Sequence, residues 1–287
     1  MAIPSRLSVT EGRVKLSAKL LPSIEEVGMA LYDTIGTTYA QTRRSDPRIA
    51  AKLLEILTSQ QASTIADIGA GTGSYALVLA EHGYRVLAVE PSATMRSQAI
   101  AHPAIQWIDA YADNLPLPDR SADAAIIMLA FHHFQNYRQA LQEVHRVTGG
   151  RQIVLFTYDP EMISSFWLTQ YFPSFLSDVQ STFLSISELM SEIESITGTG
   201  MNTIPFALPH DLSDSFAAVG WARPELYLDS SVRKGISSFA KITDEELEQG
   251  LSSLREDLET GEWDQKYGYL RQQTQHDVGY RFVYTAA

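Results

Sequence analysis

Residues 65–92 read IADIGAGTGSYALVLAEHGYRVLAVEPS, and the fold turns on this stretch. Ile65-Ala66-Asp67-Ile68 is a short apolar run carrying one carboxylate. Gly69-Ala70-Gly71-Thr72-Gly73 is a turn of small residues. Ser74 to His82 holds helix formers, with Tyr75, Leu77, Val78 and Leu79 giving an apolar face, and Gly83 stops it. Arg85 to Val89 is a second apolar run, closed by Glu90. Strand, glycine turn, helix and strand make the first half of a doubly wound α/β sheet, whose ligands lie beyond the carboxyl ends of the strands. Small residues let a ligand rest on main-chain N–H groups, and the helix N-terminus that follows favours an anionic group. A carboxylate at Glu90 is placed to accept hydrogen bonds from ribose hydroxyls. These features describe a nucleoside site of either of two kinds.

The glycine spacing separates the two. A dinucleotide site carries G-x-G-x-x-G/A, whereas Gly69, Gly71 and Gly73 give G-x-G-x-G, preceded by Asp67. This stretch resembles motif I of the class I S-adenosylmethionine-dependent methyltransferases, D-x-G-x-G-x-G, with Glu90 as the acidic residue ending their second strand. Further segments resemble the small-molecule branch known as methyltransferase 11, or ubiquinone/menaquinone-biosynthesis-like. Pro91-Ser92-Ala93-Thr94-Met95 is similar to its D-x-S-x-x-M element, and a Met there packs on adenine; the other reading of Met95 is a gap-filling core residue. Asp109-Ala110-Tyr111-Ala112-Asp113-Asn114-Leu115-Pro116 resembles G-D-A-E-x-L-P, with Tyr111 in place of the Asp that meets the adenine amino group. Phe131-His132-His133-Phe134 resembles A-x-H-H-F. Glu143, Arg146 and Val147 match E-x-x-R-V.

The resemblance implies roles for particular residues. Asp67 would orient the methionine end, and Gly69, Ala70, Gly71 and Gly73 would give close backbone approach. Glu90 and Pro91 would lie at the ribose, and Met95, Ala110, Tyr111, Ala112 and Leu129 around the remainder. Upstream, Tyr32-Asp33-Thr34-Ile35-Gly36-Thr37-Thr38-Tyr39 and Arg43 are similar to a segment that forms a lid over the cofactor. There Tyr39 would shield the sulfonium and Arg43 would pair with the methionine carboxylate; the other reading is an amphipathic helix packed on the core. His132, His133 and His210 are candidate general bases, against which stands an ordinary hydrogen-bonding role.

Composition narrows the partners. A net charge of −12 argues against a nucleic-acid partner, which needs clustered Lys and Arg. The chain has no Cys, so disulfides, thiolate metal sites and thiol nucleophiles are ruled out, and no metal site is expected. No apolar run reaches the ~18 residues of a membrane span, and the first residues lack the long apolar core of a secretory signal. A cytoplasmic protein, monomer or homodimer, with no membrane association is expected.

The remaining chain completes the sheet. Asp46-Pro47 starts a helix that Ile49, Leu53, Leu54, Ile56 and Leu57 turn toward the core. Ile105 to Ile108, Ala124 to Ala130 and Gln152 to Thr157 are further strands, Met201 to Phe206 a sixth, and residues 277–284 alternate as a last, antiparallel strand. Residues 158–200 are helical and rich in aromatics, among them Tyr158, Phe166, Trp167, Tyr171, Phe172 and Phe175, which either line a substrate pocket after the fifth strand or form the core of a cap; residues 211–276 read as helices, with a capping box at Thr243–Glu246.

The expectation is a Rossmann-like α/β fold: a seven-stranded, mostly parallel sheet with helices on both faces. Residues 1–44 would form an extension and lid, and 45–287 the methyltransferase domain, with a cap inserted at about 211–276. The cofactor would be S-adenosylmethionine and the acceptor a small, partly apolar molecule methylated on O, N or C. The alternative is an S-adenosylmethionine-binding protein with another reaction or a regulatory role.

Overall fold

The computed structural model describes residues 43–58 and 62–286. The expected lid residues Tyr32 and Tyr39 lie outside this range. Helix α1 (Pro47–Thr58) begins where Asp46 accepts the Arg48 N–H at 3.0 Å, and it buries Ile49, Leu53, Ile56 and Leu57. Then follow β1 (Thr64–Ile68), α2 (Ser74–Glu81), β2 (Arg85–Val89), the short α3 (Ala93–Arg96), β3 (Ile105–Ile108) and β4 (Ala124–Met128). After α4 (Tyr137–Thr148) comes β5 (Gln152–Tyr158), then α5 (Ser174–Thr182), α6 (Ile186–Thr197) and β6 (Met201–Pro205).

The sheet has seven strands in the order β3-β2-β1-β4-β5-β9-β6, with β9 (Tyr280–Thr285) antiparallel to both neighbours. Every residue of β4 and β5 is buried, as parallel strands covered on both faces require. Side chains alternate between two cores. Ile65, Val86, Ile126, Val154, Phe156 and Phe282 face α1, α2 and the aromatic cap. Ala66, Ile68, Leu87, Ile127, Leu155 and Val283 face α4 and α6.

Between β6 and β9 the chain makes an excursion. It contains the two-residue strand pair β7 (Leu208–Pro209) and β8 (Gln275–His276), and the helices α7 (Ser230–Lys234), α8 (Asp244–Thr260) and α9 (Glu262–Tyr267). Its aromatic core is continuous with that of residues 160–182: Trp167 meets Tyr227 and Trp263 edge-on, and Phe239 meets Phe172 and Phe175. The capping box expected at α8 is half formed. Thr243 accepts the Glu246 N–H at 3.2 Å, but the Glu246 carboxylate turns away to take the N–H of Ser174 at 2.9 Å and its hydroxyl. The reciprocal box stands instead at α6, between Ser185 and Glu188.

Ion-pair and hydrogen-bond contacts tie the start of the described chain to the excursion. Arg43 donates to Asp214 at 2.5 Å, Asp46 accepts from the N–H and hydroxyl of Ser213 at 3.0 Å, and Arg48 bridges Asp46 and Asp211.

Candidate functional site

A cleft of about 650 Å³ opens where β1, β2, β3 and β4 end. The three motif glycines all have left-handed backbone, yet they do different work. A Cβ on Gly69 would stand 2.6 Å from the Ala130 side chain, so this glycine lets β1 and the end of β4 approach. A Cβ on Gly73 would stand 2.7 Å from the Trp107 ring, so this glycine seats an aromatic from β3, while its neighbours Thr72 and Ser74 line the cleft. Gly71 alone faces open space, where an added Cβ would meet only the Met95 methyl at 3.4 Å. The turn is fixed from below, since the N–H groups of Gly69 and Ala70 both bond to Val89 O.

Two carboxylates flank this turn. Asp67 is 2% exposed, lines the cleft, and leaves Oδ2 without a hydrogen-bond partner among the described residues. Burial, reinforced by the Glu90 charge, pushes its carboxyl up to about 7. Glu90 is 9% exposed and also raised by burial, partly offset by the two N–H groups it accepts. Gly71 N–H donates to its Oε2 and Ser92 N–H to its Oε1, each at 2.9 Å. Both oxygens therefore hold a backbone bond before any ribose arrives, and a ribose has only their remaining lone pairs.

The rim comes from local structure. Ser92 caps α3, which buries Met95 against the cleft. Pro91, Ala110, Tyr111, Ala112 and Asp113 complete that side, with Tyr111 48% exposed. Asp109 is engaged by Arg96 at 2.6 and 3.0 Å. Arg146 donates to Leu115 O, Leu117 O, Asp119 and Glu143, while Glu143 accepts the Leu115 N–H, so this pair shapes the loop that brings Pro116 to the cleft. On the opposite side Leu129 takes a left-handed φ of 52° as β4 ends, a costly conformation for a branched residue that is typical of ligand sites.

The histidines separate. His133 lines the cleft and a second, smaller cavity behind it; His132 lines only the second. Burial lowers both imidazoles: for His132 the neighbouring His133 adds to it, and for His133 the Lys241 and Arg43 charges do, so both are neutral at pH 7. His210 stands on the surface beside β7, its N–H tied to Thr274 O, and lines neither cavity. Arg43 lines both cavities, but its guanidinium is paired with Asp214, a partner the sequence reading did not include.

Among the cleft residues that the sequence does not single out are Tyr75 and Asp214. Tyr75, taken as part of an apolar helix face, is 7% exposed with its hydroxyl unpartnered among the described residues, and it lines the cleft. A hydroxyl in the first turn after the glycine loop was the available signal. Asp214 arrives from the far side of the chain, and no local pattern marks it.

The donor set fits the cofactor that the motif implies. Orphaned Asp67 and Tyr75 oxygens suit an amino-acid end, the open face of Gly71 admits a ligand against the backbone, and Glu90 retains acceptor capacity.

Comparisons agree with this geometry. A family model described as a methyltransferase domain matches residues 66–156. A ubiquinone/menaquinone biosynthesis C-methyltransferase of Rubrivivax gelatinosus is 32% identical over 128 residues, 43% of this chain and 49% of that protein. A demethylmenaquinone methyltransferase of Thermus thermophilus is 32% identical over 120 residues, 39% and 54% of the two chains. The chain thus spans about half the length of these curated relatives. A crystal structure from Anabaena variabilis, described as a methyltransferase from an antibiotic biosynthesis pathway, is 46% identical. It covers 86% of this chain and 100% of its own, with a TM-score of 0.82. A phosphoethanolamine N-methyltransferase of Haemonchus contortus shares the fold at 17% identity and a TM-score of 0.52, over 91% of this chain and 57% of that one. On its motif, its sheet and these likenesses, the chain belongs to the class I S-adenosylmethionine-dependent methyltransferases.

Proposed function

We propose that this protein transfers a methyl group from S-adenosylmethionine to an O, N or C atom of a small, partly apolar molecule. The observation that carries the reading is the convergence of Asp67, Tyr75, Glu90 and the open face of Gly71 on one cleft. The bound cofactor supplies a methyl already activated on a sulfonium, so the protein's work is alignment and exclusion of water. Asp67 and Tyr75 hold the amino-acid end, and Glu90 accepts from ribose through the lone pairs its backbone bonds leave. Met95 and the 110–112 loop cover the base. Ala70 and Pro91 complete the wall, and Leu129 sets the far wall. His133 is shared by both cavities, and burial keeps it neutral and a weak base, which favours an acceptor that needs little help in losing a proton; His132 lines the second cavity alone.

Calorimetric titration with S-adenosylhomocysteine, with NAD as comparison, tests the reading. Micromolar binding of the first alone, weakened at least tenfold in Glu90→Ala, is expected. Binding of NAD instead, or of neither, refutes it.

A further inference from the structure

The second cavity, about 90 Å³, lies behind the cleft and shares Arg43, Leu129 and His133 with it. Three of its properties restrict what it holds. The first is size: an apolar cavity of roughly 150 Å³ takes benzene, and this one is smaller, so it excludes two fused rings and takes a single ring only with part of it in the open mouth. Its wall is already ring-shaped. Phe183 stacks on His132 at 4.2 Å and meets Tyr158 edge-on at 5.9 Å.

The second is charge. Among the described residues each cation of the cavity has its own carboxylate. Lys241 pairs with Asp178 at 2.7 Å, where Ser238 also donates, and Arg43 pairs with Asp214 at 2.5 Å. An ionic guest would enter without a counter-charge, and a buried unpaired charge is strongly disfavoured.

The third is hydrogen bonding. Tyr158, 6% exposed, and His132 both line the cavity, and among the described residues neither the Tyr158 hydroxyl nor His132 Nδ1 has a partner. A buried polar atom without a partner is an exception that calls for one. A guest hydroxyl both donates and accepts, so it serves the phenol and either tautomer of the imidazole.

We infer that this cavity is the acceptor pocket, and that it takes a compact, uncharged, single-ring molecule whose hydroxyl is read by Tyr158 and His132. The word acceptor rests on the methyltransferase reading above; the ring, charge and hydroxyl preferences do not.

Fluorine NMR of the full chain, with and without S-adenosylhomocysteine, tests this with four probes. 4-Fluorophenol is expected to bind. 4-Fluorotoluene, which lacks the hydroxyl, 4-fluorobenzoate, which adds a charge, and 6-fluoro-2-naphthol, which adds a ring, are each expected to bind about tenfold more weakly or not at all. Tyr158→Phe should weaken 4-fluorophenol about fivefold and leave 4-fluorotoluene unchanged. Ala217→Leu, which fills the cavity, should weaken 4-fluorophenol at least tenfold. Both variants should keep wild-type affinity for S-adenosylhomocysteine, which reports that they fold. Equal binding of phenol and toluene would mean that the two polar atoms are served by trapped water, and would overturn the proposal. So would absence of 4-fluorophenol binding, or its persistence in Ala217→Leu. The wild-type probe series decides by itself if a variant misfolds. Failure of S-adenosylhomocysteine to bind wild type removes the name acceptor and leaves the probe result standing.

Discussion

Gly71 and Gly73 lie two positions apart in one motif and are expected to fail differently. Alanine at Gly71 meets little but the Met95 methyl, so its stability cost is that of a left-handed residue, about 1–2 kcal/mol. Its Cβ enters the cleft, and S-adenosylhomocysteine affinity should fall steeply. Alanine at Gly73 adds to the same backbone cost a collision with Trp107, so the midpoint of urea unfolding should drop further than for Gly71→Ala. The reverse ranking would show that the cleft, not the β3 contact, governs position 73. Asp67 supplies a pH signature. Its folded carboxyl titrates at about 7 against about 3.9 unfolded, so the folded state holds the extra proton between these values. The stability this contributes is full below about pH 4 and is lost as the pH rises through about 7. Asp67→Asn should abolish that loss, making the ligand-free variant more stable than wild type at pH 8 by roughly 1–4 kcal/mol. Equal unfolding midpoints at pH 5 and pH 8 in both proteins would exclude it. This much of the site was legible because Asp67, Gly71, Glu90 and Met95 are set by a local strand-turn-helix pattern. Tyr75 carried a weaker sign, and Asp214 none.

Among the elements, β1, β2, β4 and β5 could be read directly, since strands buried on both faces are written as nearly continuous apolar runs between turn residues. β7 and β8 could not, being two residues each and held by a partner some 65 positions away. That pairing puts His210 at the surface, where position after a strand had suggested a cleft residue. The capping box at α8 failed for a related reason: the pattern Thr-x-x-Glu is local, but the Glu246 carboxylate finds a tertiary partner, the N-terminus of α5. Two expectations follow. Thr243→Ala should cost roughly 0.5–2 kcal/mol as an ordinary cap. Glu246→Ala should leave α8 helical but speed amide exchange at Ser174; unchanged exchange there would mean that the two helices are joined by their aromatic contacts alone.

For the whole molecule, the contacts of Arg43, Asp46 and Arg48 with residues 211–214 matter most. Asp214 is almost fully buried and Arg43 mostly so, hence Asp214→Ala removes the carboxylate paired with the guanidinium and should cost roughly 3 kcal/mol or more. Arg43→Met combined with Asp214→Leu should recover most of it; no recovery in thermal melts would assign the cost to lost packing. Burial opposes the charge of Asp46, but Arg48 and Ser213 outweigh it and hold the carboxyl at about 2. Its contribution is therefore present above about pH 4 and fades only as the pH falls through about 2. None of these long-range pairings has a sequence signature: Tyr158, Phe166 and Phe175 could be read as pocket lining or cap core, but the residues that close the second cavity around them, from Arg43 to Tyr280, could not be read before the fold.

The excursion leaves the sheet after Pro205 and returns at Arg281, and these two residues are paired neighbours on adjacent strands. A segment whose two ends meet is a graft. Its length hardly touches the entropy of the sheet beneath, because closing a longer loop costs only slowly more. Chains with the same cofactor half can therefore exchange this piece while β1 to β5 stay as they are, and a chimera carrying a foreign segment between positions 205 and 281 should change the wall that Phe216, Ile236 and Lys241 give the second cavity while keeping Tyr158 and His132.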